Sequence, residues 1–255
     1  MDPSSYPILE FDPAQEAMIE PSRVYPSLDV PEHCVICFFR DVVEKIANEK
    51  KAEIAVTHHW EDGPHPLYKI EHQGTSLAFI HPGVGAPMAA GILEDAVARG
   101  CRKFMVCGGC GVLEKGLAVG HLIVVSNAVR DEGTSYHYLP PGREVTANPL
   151  GVAALEKVLE QKNLPHVIGK TWTTDAPYRE TSAKIALRKN EGCLTVEMEA
   201  ASFMAVAEFR KVILGQVLYG GDDLSGEEWS DRDWVSRSDV RWNLFWLAAG
   251  ACLSL

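Results

Sequence analysis

Thr195-Val196-Glu197-Met198-Glu199-Ala200-Ala201-Ser202 closes an apolar run at 194–196 and opens a stretch, 198–209, whose apolar side chains recur at spacings of three and four. A short unbroken apolar run fits a strand buried on both faces, and the three-and-four spacing fits a helix, so the octet is a strand-to-helix junction carrying two carboxylates. The same alternation continues outward in both directions. Residues 52–57, 77–80, 104–107, 122–126, 166–171 and 212–219 predict further strands, and 42–48, 87–99, 149–161, 181–189 and 242–251 predict further helices. Strands alternating with helices predict one α/β domain whose mixed, largely parallel central sheet is flanked by helices. Trp242, Phe245 and Trp246 fall on one face of the last helix, a stripe expected to dock on the core. Residues 1–33 hold six of the 15 prolines without any sustained period and predict an extended arm or lid, leaving 34–255 as the domain.

Composition narrows the function classes. The chain has 255 residues, with 24 bases against 35 acids for a net charge of -11, which repels phosphate backbones and anionic lipid and speaks against nucleic-acid or membrane partners. The most apolar stretch, 244–255, falls short of the ~20 residues that cross a bilayer. The N-terminal residues show neither an apolar signal core nor a basic transit pattern, so a cytoplasmic location is expected. Seven cysteines, an odd number within apolar segments, read as reduced buried thiols. Cys34-x-x-Cys37 and Cys107-x-x-Cys110 lie much farther apart than the ~15 to 20 residues of compact zinc modules, so no metal site is expected.

In α/β sheets ligands collect beyond the carboxyl ends of strands. Three glycine-bearing stretches are placed there as loops: His81-Pro-Gly83-Val-Gly85-Ala-Pro87, Cys107-Gly108-Gly109-Cys110-Gly111 and Gly220-Gly221-Asp222-Asp223. The first has Met88 where a dinucleotide fingerprint requires its third glycine, and no phosphate-loop lysine follows, so no nucleotide cofactor is expected.

Val196-Glu197-Met198-Glu199-Ala200 resembles the ribose-binding segment of the nucleoside phosphorylase family, which also includes nucleosidases. Four further stretches resemble that family in the same chain order: Gly83–Pro87 and Cys107–Gly111, then Gly120-His-Leu-Ile-Val with Arg130-Asp-Glu-Gly-Thr-Ser-Tyr-His137, and Thr173-Thr-Asp175-Ala-Pro-Tyr178. The resemblance covers roughly residues 35 to 255, and the 130–137 stretch is closest in kind to the uridine phosphorylase branch. It implies cleavage of the N-glycosidic bond of a small-molecule nucleoside, and a homodimer or assembly of dimers with the 57–65 segment near a partner's site. It further implies that Glu199 accepts hydrogen bonds from the ribose hydroxyls, that Met198 packs on the sugar and that Glu197 supports the loop. Asp222 stands where purine-cleaving members carry the acid that protonates the leaving base, which makes it the candidate catalytic residue.

Departures from the family pattern bear on substrate and acceptor. The residues that read uracil in the uridine branch align with Thr181 and Ala183, and the base-stacking aromatic aligns with Pro177, leaving Tyr178 and Arg179 as base contacts and favouring purine ribosides. Inorganic phosphate is the co-substrate the resemblance implies. Its arginine and threonine positions in the glycine-rich stretch fall on Val106 and Gly109, and the early phosphate loop aligns with Cys37-Phe-Phe-Arg40-Asp-Val42, with Arg40 out of register. The backbone N–H groups of Gly108 and Gly109 are then the expected anion contacts. Phosphorolysis, hydrolysis and catalytically silent nucleoside binding are the three readings that follow.

Overall fold

The computed structural model describes residues 3–255. Ten strands form one sheet: β1 (His33–Cys37), β2 (Glu53–Trp60), β3 (Gly63–His72), β4 (Thr75–Ile80), β5 (Lys103–Val112), β6 (Leu122–Asp131), β7 (Glu144–Thr146), β8 (His166–Thr174), β9 (Cys193–Glu197) and β10 (Ile213–Asp223). Parallel ladders join β4 to β1, β1 to β5, β5 to β10, β6 to β8 and β8 to β9. Antiparallel ladders join β5 to β9 and β6 to β10. The run β5–β9–β8–β6–β10 therefore returns to β5 and closes a five-stranded ring. From β5 the remaining sheet extends outward through β1 and β4 to the antiparallel pair β3 and β2.

Helices cover both sides. The helices α2 (Arg40–Glu49), α4 (Pro149–Gln161) and α7 (Ser238–Leu253) pack with β1, β4, β5 and β10 around Val35, Phe79, Met105, Leu155 and Phe245. The opposite face carries α3 (Ala86–Arg99) and α6 (Ala200–Arg210) around Ile36, Ile80, Ile92, Phe104 and Phe203. Leu77, Phe104 and Phe203 are fully buried, and burying a side chain of this size contributes about 1.5–3 kcal/mol. The stripe on α7 docks as expected: Phe245 is buried, and Trp242 and Trp246 pack against the same cluster under Lys45 and Lys50.

The cysteine pairs are explained by strand geometry. Successive side chains of a strand alternate between faces, so positions i and i+3 point in opposite directions. Cys34 and Cys37 accordingly enter opposite cores, as do Cys107 and Cys110, and all four are free and buried. The thiol of Cys107 instead meets that of Cys37 across the β1–β5 ladder.

The arm lies against the body. The four-residue helix α1 (Pro21–Val24) packs on α3, and the buried Glu20 joins the Arg210 guanidinium, which also binds Glu94. No helix among the described residues is long and apolar enough to cross a membrane.

Candidate active site

Glu197 is the last residue of β9 and its carboxylate is fully committed. Its Oε2 accepts from the backbone N–H groups of Glu199 (2.7 Å) and Ala200 (2.6 Å), and its Oε1 accepts from the Thr173 hydroxyl (2.6 Å). These donors belong to the first turn of α6 and the end of β8, so Glu197 ties three elements at one corner. Glu199 sits one step beyond, at the cap of α6, and its Oε1 accepts from the Gly85 N–H at 2.6 Å. Gly85 caps α3 at φ +91°, a left-handed conformation that side-chain-bearing residues rarely adopt, and this conformation presents its N–H to Glu199. Both carboxylates are buried. Burial pushes both carboxyls up; Glu197's charge lifts Glu199 further, while the hydroxyl and backbone donors restrain Glu197. Met198, half-buried, lies between them.

Asp222 approaches the same corner from β10. Gly111 of β5 pairs with Val196 of β9, and a Cβ at Gly111 would lie 3.5 Å from Asp222 Oδ1. The absent side chain thus lets the end of β10 come close to the end of β9. Asp222 Oδ2 accepts from the Trp229 indole N–H at 2.7 Å. Asp223 turns to a different task, accepting from Ser225 and pairing with Arg232, which hold its carboxyl below the usual range against the opposing effect of burial.

No motif or spacing singles out Glu180, which the structure brings beside Asp222. Burial and the neighbouring charge of Asp222 push its carboxyl up to about 7. The residue lies in the polar run Tyr178-Arg179-Glu180-Thr181, and the charge that acts on it comes from Asp222 of β10.

Of the other expected contacts, Tyr178 is 99% exposed and Arg179 is exposed, both on a single turn of 3-10 helix that leads into Glu180. The glycine-rich stretch 107–111, read as a loop, is strand: β5 runs through it, with Gly108 and Gly109 paired to Leu218 and Tyr219 of β10. The ring of Phe38 lies over Gly108, and that of Trp234 over Gly109; a Cβ at either glycine would come within 3.1 Å of those rings. Residues 220–223, also read as a loop, complete β10. Arg40 begins α2 and is exposed. Close by, His81 is pushed down to about 4 by burial and by the charges of Arg40 and His65.

A sheet closed on itself, with Glu197 and Glu199 buried where β9 ends and Asp222 half-buried where β10 ends, defines an α/β protein with an acidic site. The family model for the phosphorylase superfamily matches residues 32–240, and the chain belongs to that superfamily. A guanosine phosphorylase of Halorubrum lacusprofundi is 29% identical over 153 residues, 59% of this chain and 64% of that protein. A uridine phosphorylase of Thermococcus kodakarensis is 31% identical over 108 residues, 42% of this chain and 39% of that protein. The chain thus spans less than two thirds of the length of these curated relatives. Among solved structures, an AMP nucleosidase from Bacteroides thetaiotaomicron superposes with TM-score 0.71 at 22% identity, covering 89% of each chain. A uridine phosphorylase from Vibrio fischeri superposes with TM-score 0.74 at 19% identity, covering 90% of this chain and 97% of that one.

Proposed function

We propose that the chain cleaves the N-glycosidic bond of nucleosides, with purine ribosides preferred. The observation that carries this reading is the buried corner at which Glu199 faces Gly85 and Asp222 approaches past Gly111. Breaking a C1′–N bond builds positive charge on the ribose and negative charge on the base, and a low-dielectric site with acceptors at one end and a proton source at the other meets both needs. Glu199 is the acceptor for the ribose hydroxyls, Met198 packs on the sugar, and Glu197 holds the corner rigid. Asp222 relays a proton to N7 of the purine as the C1′–N9 electron pair leaves with the base, drawing it from the neighbouring Glu180, whose carboxyl is raised to about 7 by burial and by the charge of Asp222.

Inorganic phosphate is the acceptor that membership of the superfamily supports, and Arg40 with the neutral His81 is the pair on this chain that would hold it. A specific observation favours water as a second reading: Phe38 and Trp234 cover Gly108 and Gly109, leaving no open glycine cradle for an anion. One assay separates the readings. Purified protein is incubated with purine and pyrimidine ribosides, with and without phosphate, and free base, ribose and ribose 1-phosphate are measured. Ribose 1-phosphate appearing only with phosphate supports phosphorolysis, whereas base release independent of phosphate supports hydrolysis. Binding without release refutes catalysis.

A further inference from the structure

β10 ends on two adjacent acids that bind different partners. Neighbouring residues of a strand face opposite sides, and Asp223 serves the loop that follows, 224–233, while Asp222 does not. That loop is pinned at its base. Asp223 and Ser230 exchange both backbone hydrogen bonds, at 2.7 and 3.0 Å, and the Leu224 N–H donates to the Val112 carbonyl of β5 at 2.9 Å. Arg232 pairs with Asp223 and donates to the Leu117 carbonyl at 2.9 Å. Trp229 precedes Ser230 directly, so its backbone is fixed beside the end of the strand.

The Trp229 side chain is nevertheless 63% exposed. An indole left in water forgoes the stabilisation of apolar burial, and the one polar group of this ring is committed to Asp222, whose Oδ2 accepts its N–H at 2.7 Å. The other oxygen, Oδ1, lies on the side of β5, 3.5 Å from where a Cβ of Gly111 would stand. The two oxygens of the candidate acid are therefore not equivalent. An indole N–H donates and cannot accept, so its bond keeps Oδ2 as an acceptor and leaves Oδ1 as the oxygen on which a proton can sit.

Resting on the proposed nucleoside-cleaving reading, we propose that Trp229 is a positioning residue for protonation of the leaving base: its indole N–H holds Asp222 by Oδ2 and so confines the proton in transit to Oδ1. In that step the proton leaves Glu180, passes through Oδ1 and forms the N7–H bond as the C1′–N9 electron pair departs with the base. Asp222 ends as the carboxylate it began as, and Glu180 ends ionised until solvent returns its proton. Asp223 takes part only indirectly, by fixing the loop that carries Trp229.

The test uses the full chain and two substrates built on whichever purine the assay above releases fastest: the riboside and its N7-methyl derivative. The methylated base already carries positive charge and leaves without being protonated at N7, so the ratio of the two kcat values isolates proton delivery. Trp229→Phe keeps an aromatic ring and removes the donor, whereas Trp229→His can restore an N–H at the corresponding atom of a five-membered ring. In Trp229→Phe the ratio of unmethylated to methylated kcat should fall by roughly 10-fold or more, as expected when a reacting group is misplaced, and Trp229→His should recover part of that loss. A merely structural role lowers both kcat values together and leaves the ratio unmoved. An unmoved ratio, or an equal fall in the Phe and His variants, overturns the assignment while leaving nucleoside cleavage intact. A wild-type protein that cleaves only the methylated riboside has no proton delivery to position, which also overturns it. If the wild type cleaves neither purine riboside, the purine-cleaving reading and the assignment that rests on it fall together.

Discussion

At the scale of single residues, the two glutamates that flank Met198 have separate duties. Glu197 has spent its acceptor capacity on Thr173 and the turn of α6, whereas Glu199 keeps capacity for a ligand while bonded to Gly85. Replacing Glu199 by Gln exchanges an anionic acceptor for an amide, and the expected loss in kcat/KM corresponds to about 2–4 kcal/mol of transition-state stabilisation. Near-normal turnover of ribosides would refute its role. Stability should move the other way. Because burial raises this carboxyl in the folded protein, the unfolded chain ionises first as pH climbs above about 4.3, so the contribution is greatest at low pH and is lost as pH rises through the higher folded value. The Gln variant lacks that loss, and its melting temperature relative to wild type should be higher at pH 8 than at pH 5. For Asp222, substitution by Asn keeps an acceptor for the Trp229 indole but removes the acid. Turnover of purine ribosides should drop by ~100-fold or more with little change in ligand affinity. A large fall in melting temperature with activity per folded molecule intact would make Asp222 a structural cap instead.

At the scale of elements, periodicity revealed most helices and the cores of most strands, and its misses have physical causes. Pro64 and Pro66 interrupt β3 and mask it in the sequence. The sheet tolerates them because β4 pairs only with residues 68–72 of β3, so the proline-bearing half is locally an edge. β1 was obscured by the proline-rich arm that runs directly into it, and β7 is only three residues long. The glycines in β5 and β10 resembled loop signals because an isolated strand gains nothing from them; their value lies in letting Phe38, Trp234 and neighbouring strands approach. The glutamates of the candidate site are legible because they stand at a change of period, whereas Glu180 owes its raised carboxyl to burial and to Asp222, which is distant in sequence. Gly111→Ala tests this close approach. Its Cβ would meet Leu224 at 2.6 Å and Val196 at 2.9 Å, so the β5–β9 contact beside Asp222 must shift. Overpacking of this kind costs about 1–3 kcal/mol. Thermal unfolding and kcat should both fall in this variant, and an unchanged pair of values would remove Gly111 from the account of the site.

At the scale of the whole molecule, large apolar side chains remain uncovered along one region. Trp60 is 41% exposed and lines a cleft together with Ile19 and Val24, while Val84 is 67% exposed. Apolar exposure grouped as it is around Trp60 marks association surfaces. A homodimer or assembly of dimers is the expected solution state, with the β2–β3 hairpin near the contact; sedimentation showing only monomer across a wide concentration range would refute it. The closed ring has a separate consequence for how the protein matures. Its five strands come from residues 103 to 223, and the ladder that completes it needs the last of them. Glu199 follows β9 and Asp222 belongs to β10, so no shorter folding unit contains both halves of the corner. Competence is consequently all-or-none: a chain that has yet to dock β10 has no partly working site to expose to substrate.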